Sequence, residues 1–292
     1  MMSKLLRNFR TFVGNAGVRN AYISWRMQRL FGKEPFALLP NGFRCFGSSK
    51  FNDFCAMSTH CQDTSNFSVF RHFLKEDGVF VDVGANMGIT TLVAAGTARL
   101  SRIIAFEPTH KCAEVWHKNV CANGILNATL LQCAISDRIG TMEFVADPSA
   151  PEYNRLNIGN AVSRHQDGNR RELNVSKVSV TTLDEVCEIL GVEHISLLKI
   201  DVEGAEPTVW RGAKGLLRKK AITAVFLEFV PAYFRDMNED VAAFASDIYD
   251  LGYAAFEIDS AGCASRRLTP AQLVAGDFIG PNIVLKINLP NT

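Results

Sequence analysis

The stretch from Val79 to Ala95 constrains the fold most. Val79, Phe80 and Val81 form an apolar run that leads into Asp82. A glycine turn follows, Gly84-Ala85-Asn86-Met87-Gly88, and Ile89, Leu92 and Val93 then begin a helical pattern. Strand, tight turn and helix in this order open a nucleotide-type α/β fold. An uninterrupted apolar strand is expected to be parallel and covered on both faces. Gly84 and Gly88 are expected to let the chain turn sharply and to leave room for a ligand where a Cβ would stand. The helix start would aim free N–H groups at a partly anionic ligand. The competing reading is that both glycines serve the turn alone.

The ligand class follows from spacing. A dinucleotide site uses G-x-G-x-x-G to approach a pyrophosphate. This chain has D-x-G-x-x-x-G from Asp82 to Gly88 and lacks the third glycine. S-adenosylmethionine carries an ammonium, a carboxylate, a ribose and an adenine but no phosphate, and a looser turn behind an acidic residue suits it better. The next strand, Ser101 to Glu107, ends in an acid 23 residues after Gly84. A carboxylate about one βαβ unit past the turn can accept both ribose hydroxyls. After the third expected strand, Ala128–Ile135, the stretch from Cys133 to Asp137 should lie beside the adenine.

Composition limits the rest. The chain has 292 residues, 47% of them apolar, enough for one sizeable α/β domain with an appendage. We divide it into residues 1–75, amphipathic helices and a small β appendage, and residues 76–292, the main domain. Net charge is +1, yet residues 1–33 hold seven Lys/Arg and no acid, which leaves 24 basic and 30 acidic residues in the remainder. That body should not present a broad nucleic-acid surface. The basic start reads first as a helical cap, then as a helix making peripheral membrane contact, then as an organellar targeting segment. Arg7, Asn8 and Arg10 interrupt any secretory apolar core. Eight cysteines without a C-x-x-C pair fit reduced thiols in a cytoplasmic protein. No apolar run has bilayer-spanning length.

Further elements read from pattern. Residues 36–58 alternate weakly, with Pro40-Asn41-Gly42 between apolar runs signalling a hairpin, and read as the small β appendage. Helices are expected over Phe67–Lys75, Cys112–Asn123, Leu183–Leu190 with Thr182 as N-cap, 206–219 and 239–251. Ile139–Ala146 reads as a hairpin-like continuation and Val175–Val180 as a strand. Residues 147–173 read as a long polar loop, with a substrate-gating role set against plain disorder. Tyr253–Ile258 and Asn282–Ile287 are expected to pair antiparallel, with Gly262, Cys263 and Pro270 in the loop between them.

A second informative stretch runs from Ile195 to Glu206. Its apolar strand ends at Asp201, and Glu203, Gly204 and Glu206 follow. Carboxyl ends of strands face the ligand crevice in open α/β sheets. Asp201 and Glu203 would share a face if the extended geometry continued. The strand Ala221–Val230 brings Glu228 to the same rim. Asp201, Glu203 and Glu228, in that order, are the candidate bases for a hydroxyl nucleophile. The same oxygens could instead hold a divalent metal such as magnesium. Glu206 could simply complement the dipole of the helix it opens.

The segments FVDVGANMGITT, IIAFEPTHKCAEVWHKNV, VSVTTLDEV and LLKIDVEGAEPTVWRGA together resemble the FkbM family of S-adenosylmethionine-dependent methyltransferases, over roughly residues 78–230. The resemblance implies a class I methyltransferase fold, a doubly wound, Rossmann-like, seven-stranded and mostly parallel sheet with its last strand reversed. It further implies that Asp82, Gly84, Asn86 and Gly88 hold the amino-acid end of the cofactor, and that Glu107, with Pro108 beside it, takes the ribose. Ala134 would then flank the adenine, and Asp201 would face the acceptor. The implied acceptor is a hydroxyl on a sugar, glycolipid or polyketide-like molecule. Two rival readings are a nicotinamide (NAD)-dependent oxidoreductase on a similar sheet, and a membrane-surface binding protein with a vestigial fold. Oligomeric state is left open.

Overall fold

The structure is a computed structural model and describes residues 16–47, 51–62, 64–146, 155–156 and 174–288. The expected gating loop lies outside the described residues, apart from Arg155 and Leu156. The first half of the basic segment, residues 1–15, lies outside them too.

Fourteen strands are described: β1 (Phe36–Leu38), β2 (Arg44–Phe46), β3 (Val79–Val83), β4 (Arg102–Phe106), β5 (Ala128–Leu131), β6 (Ala134–Ile135), β7 (Gly140–Ala146), β8 (Arg155–Leu156), β9 (Asn174–Thr181), β10 (Ile195–Ile200), β11 (Ile222–Glu228), β12 (Tyr253–Ile258), β13 (Ala264–Arg267) and β14 (Asn282–Ile287). The main sheet has the order β13-β12-β14-β11-β10-β3-β4-β5. Strands β5, β4, β3, β10 and β11 are mutually parallel. The reversed strand β14 lies antiparallel between β11 and β12. This is the doubly wound, Rossmann-like arrangement with a reversed last strand. It has eight strands rather than seven, because the chain after β12 turns back at Asp259–Gly262 and adds β13 to the edge.

Side chains along β3 and β10 alternate between two cores, as a period of two requires. Val81, Val83, Leu198 and Ile200 face one core, against Trp210, Phe234 and Phe244. Phe80 and Leu197 face the other, with Phe54, Met57, Phe70 and Leu92. Phe70 meets the ring of Phe80 edge-on at 5.3 Å. Residues between Ala21 and Leu74 therefore share one continuous core with the main sheet.

The Asn41-Gly42 hairpin forms as its sequence signals, with Gly42 at φ 85°. The helix Phe51–Gln62 replaces the β structure expected there. Phe54, Met57 and Cys61 bury one face at helical spacing, and that burial decides the conformation. Strand β2 is fastened by side chains on the helix His110–Ala122 and its cap. Asn123 bonds both the N–H and C=O of Arg44, at 2.8 and 2.7 Å. Asn119 does the same to Phe46, at 2.6 and 3.0 Å. Four residues along a helix advance about 6 Å, and two along a strand advance about 6.7 Å. The two amides thus match alternate strand residues and replace a missing neighbour strand.

Other boundaries differ from expectation for local reasons. The strand expected over Ala128–Ile135 breaks where Cys133 N–H bonds the Leu131 carbonyl at 2.9 Å. Ala134–Ile135 then joins a separate sheet, β6-β9-β7-β8, which also takes Arg155–Leu156 from the expected loop. The helix expected over 206–219 divides into Glu206–Arg211 and Lys214–Arg218. Between β13 and β14 lies an unexpected helix, Pro270–Ala275, opened by a Thr269–Gln272 capping box. Among the described residues, no helix is long and apolar enough to cross a membrane.

Candidate active site

The glycine turn sits at the carboxyl end of β3, tucked against β4. The N–H groups of Gly84 and Ala85 both donate to the Phe106 carbonyl, at 3.1 and 3.0 Å. Gly84 and Gly88 have φ of 81° and 91°, which glycine adopts freely. Their missing side chains, however, make room for the protein itself. A Cβ on Gly84 would lie 2.0 Å from the Asp201 carbonyl oxygen, and one on Gly88 would lie 2.7 Å from the Trp116 ring. The ligand space expected at these two positions is filled by internal packing.

Asp82 is fully buried. Its Oδ2 accepts hydroxyl bonds from Thr90 at 2.7 Å and Thr91 at 2.8 Å. The Trp116 indole N–H in turn donates to Thr91 at 3.0 Å. Asp82 therefore ties the strand to the helix Ile89–Ala95 from within through Oδ2, while its Oδ1 is buried without a hydrogen-bond partner, 3.4 Å from Lys199 Nζ. Asn86 stands further out at φ 48°, and its Oδ1 is buried without a hydrogen-bond partner. A buried acceptor left open in this way invites a donor from a ligand.

Glu107 is held rigidly at the end of β4. Oε2 accepts the Asn86 N–H at 3.1 Å, and Oε1 accepts the Thr109 N–H at 2.9 Å and the Thr109 hydroxyl at 2.5 Å. Burial raises its pKa, opposed by these hydrogen bonds and by the charge of Lys199. A carboxylate has about four lone-pair positions, and three are taken. One ribose hydroxyl fits without rearrangement; accepting both requires the Thr109 hydroxyl to turn away. Pro108 is half-buried beside it. Ala134 is buried in the small sheet's core with Phe144, Leu156, Val180 and Ala205.

The acidic groups converge at the neighbouring strand ends. Oxygens of Asp201, Glu203 and Glu228 lie within 4.8 Å of one another. Extension of β10 is not what brings them together. Glu203 adopts φ 59°, so the chain turns back after Asp201. Glu206 holds that turn: its buried carboxylate accepts the N–H groups of Val202 and Gly204 at 2.8 and 2.9 Å. It is an anchor of the loop, beyond any effect on the helix dipole. Burial pushes Glu206 up to about 8 against those bonds. Glu228 is pushed up to about 9, by burial first and then by the charges of Asp201, Glu206 and Glu203. Its Oε2 is buried with no hydrogen-bond partner.

Among the described residues, Lys199 brings a positive charge to these acids, a role with no signal in the sequence. Lys199 lies within the apolar run of β10, directly opposite Asp82 in register. Its Nζ is 3.4 Å from Asp82 Oδ1 and 3.5 Å from Asp201 Oδ2. It also donates to the carbonyls of Gly84 at 2.7 Å and Val83 at 3.3 Å. Burial works to neutralise the amine, but the charges of Asp201 and Asp82 outweigh it and raise its pKa.

A buried turn with an open acceptor, an acid one strand away and a carboxylate cluster across the crevice suit a cofactor and an acceptor lying side by side. The family model for the methyltransferase FkbM domain matches residues 82–253. The chain belongs to the FkbM methyltransferase family. That match spans both halves of the site, from Asp82 through Glu228. Among relatives, methyltransferase sdnD of Sordaria araneosa is 31% identical over 175 residues, covering 52% of this chain and 64% of sdnD. The 2-O-methyltransferase NoeI of Sinorhizobium fredii (strain NBRC 101917 / NGR234) is 29% identical over 165 residues, covering 53% of this chain and 67% of NoeI. The chain thus spans less than two thirds of the length of sdnD. The crystal structure of an FkbM methyltransferase from Methylobacillus flagellatus KT aligns with 81% of this chain and 52% of its own, at 13% identity and a TM-score of 0.46.

Proposed function

We propose that this FkbM-family chain is an S-adenosylmethionine-dependent O-methyltransferase acting on a hydroxyl of a sugar, glycolipid or polyketide-like small molecule. The observation that carries the reading is the adjacency of two unlike groups at neighbouring strand ends: Asn86 and Glu107 on one side, and Asp201, Glu203 and Glu228 on the other. The open Oδ1 of Asn86 suits the cofactor's ammonium, and the remaining lone pair of Glu107 suits one ribose hydroxyl. The missing third glycine counts against a nicotinamide dinucleotide. NoeI is a 2-O-methyltransferase, which supports oxygen as the acceptor atom.

When bound, S-adenosylmethionine supplies an electrophilic methyl group on a sulfonium. The chain's own part is alignment, exclusion of water and reception of a proton. As the acceptor oxygen takes the methyl group, its proton must leave, and a carboxylate of the cluster receives it. Asp201, 3.5 Å from Lys199 Nζ, is the member that faces the acceptor and receives this proton, whereas Glu228, pushed up to about 9, already holds one at neutral pH. The same three carboxylates would hold a divalent cation, magnesium by its preference for oxygen donors, which would acidify the hydroxyl directly. Calorimetric titration of wild type and Asp201→Asn with Mn²⁺ tests this second route, which fails if neither binds.

Transfer of a labelled methyl group from S-adenosylmethionine to a panel of hydroxylated small molecules tests the main reading. Label reaching only amine or thiol acceptors would contradict it. Leu30 and Phe31 are 70% and 72% exposed beside exposed Lys33, which supports lipid contact at the end of the helix Ala16–Leu30. Liposome sedimentation of the full chain and of residues 34–292 tests that contact; equal pelleting would exclude it.

A further inference from the structure

We propose that Lys199 is a positioning residue, which aims the Asp201 carboxylate by tying it to the end of the cofactor turn. The proposal rests on the methyl-transfer reading and deepens it.

Lys199 does more than pair a buried acid. Asp82 already accepts two threonine hydroxyls and stands opposite Lys199 in register. A lysine needed only to neutralise Asp82 could stop there. Its ammonium instead reaches the Gly84 carbonyl at 2.7 Å, its shortest contact, and lies 3.5 Å from Asp201. An ammonium has three protons, and here four acceptors from the ends of β3 and β10 surround it. The Asp201 N–H bonds the Val83 carbonyl at 3.2 Å, and the Asp201 carbonyl fills the Cβ position of Gly84. Main chain and side chain of Asp201 are thus both referred to Val83 and Gly84. The Asp201 side chain is 42% exposed, so without the ammonium it would be free to swing toward water. Buried ion pairs contribute little net stability compared with apolar packing of similar volume. Geometry, rather than stability, is what this arrangement supplies.

The test needs no knowledge of the acceptor. The charge-balanced variant Asp82→Asn/Lys199→Met avoids leaving an unpaired buried charge. [Methyl-¹³C]S-adenosylmethionine is titrated into wild type and variant; calorimetry gives Kd, and the ¹³C resonance of the bound methyl group reports its surroundings. We expect Kd to stay within about threefold of wild type, while the bound resonance moves toward its free value. Asp201→Asn alone, with Lys199 intact, should move the resonance the same way, and adding it to the double variant should produce no further change. Retained binding with an unchanged resonance in either variant overturns the proposal and leaves the methyl-transfer reading standing. Loss of affinity in step with loss of thermal stability also overturns it, since the role would then be structural. If the double variant fails to fold, Asp201→Asn decides by the same criterion. Failure of the wild type to bind S-adenosylmethionine would overturn the methyl-transfer reading and this proposal with it.

Discussion

The Asp201 carbonyl oxygen lies 2.0 Å from the point where a side chain on Gly84 would begin. The glycine turn and the acidic loop are therefore in contact through backbone, with no space between them. Gly84→Ala must displace that carbonyl and also strain a residue at φ 81°. Backbone cannot yield as a flexible side chain can. We expect loss of soluble protein, or a fall in stability of several kcal/mol, on the order of that for other overpacked or strained sites. Denaturant unfolding checks this, and wild-type stability in Gly84→Ala would contradict the packing described.

Asn119 joins three backbone groups in one place. It bonds both polar groups of Phe46 and donates to the Met87 carbonyl at 2.7 Å, inside the glycine turn. Asn119→Ala leaves these groups without partners, and a destabilisation of about 3 kcal/mol is expected. Because Met87 is involved, affinity for S-adenosylmethionine should fall as well. Asn123→Ala, which acts on Arg44 further from the turn, should lower stability and leave that affinity near wild type.

Glu228 sets a pH dependence whose sign can be worked out. Its carboxyl rises from an ordinary 4.5 to about 9 in the folded chain. Between those values the unfolded chain has released the proton while the folded chain keeps it. Folding then binds more protons than unfolding, so stability declines as pH rises across that window. Glu228→Gln carries no proton to lose, and its unfolding free energy should decline less between pH 5 and about 9. Parallel denaturant titrations across that range measure the difference; identical slopes would contradict the placement of Glu228 among Asp201, Glu203 and Glu206.

Much of this was legible in sequence because periodicity and turn chemistry were strong. The run into Asp82, the Asn41-Gly42 hairpin and the Thr182 cap all appear where their residues signal them; the Thr182 hydroxyl accepts the Glu185 N–H at 3.1 Å. The helix Pro270–Ala275 was missed although Thr269, Gln272 and Gly276 spell out its cap and stop. Lys199 was hidden for a different reason. A lysine within an apolar run gives no periodic signal, and its partner Asp82 is more than one hundred residues away in sequence, joined only by strand register. The volume left open at Gly84 and Gly88 is taken by protein rather than ligand, and a turn glycine looks the same in sequence in either case. The convergence of Asp201, Glu203 and Glu228 was expected from extension of β10, but the positive φ of Glu203 and the brace from Glu206 produce it.

The most direct measurement of the central claim is calorimetric titration of wild type and Glu107→Ala with S-adenosylmethionine, S-adenosylhomocysteine and NADH. Glu107 is fixed by Asn86 and Thr109 with a lone pair to spare, so its loss removes a charge-assisted bond of about 1.5–3 kcal/mol, roughly 10- to 100-fold in Kd. Wild type is expected to bind the first two ligands, Glu107→Ala to bind both more weakly by that factor, and NADH to bind neither protein. Binding of NADH alone, or equal affinity of wild type and Glu107→Ala for S-adenosylmethionine, would contradict the central claim.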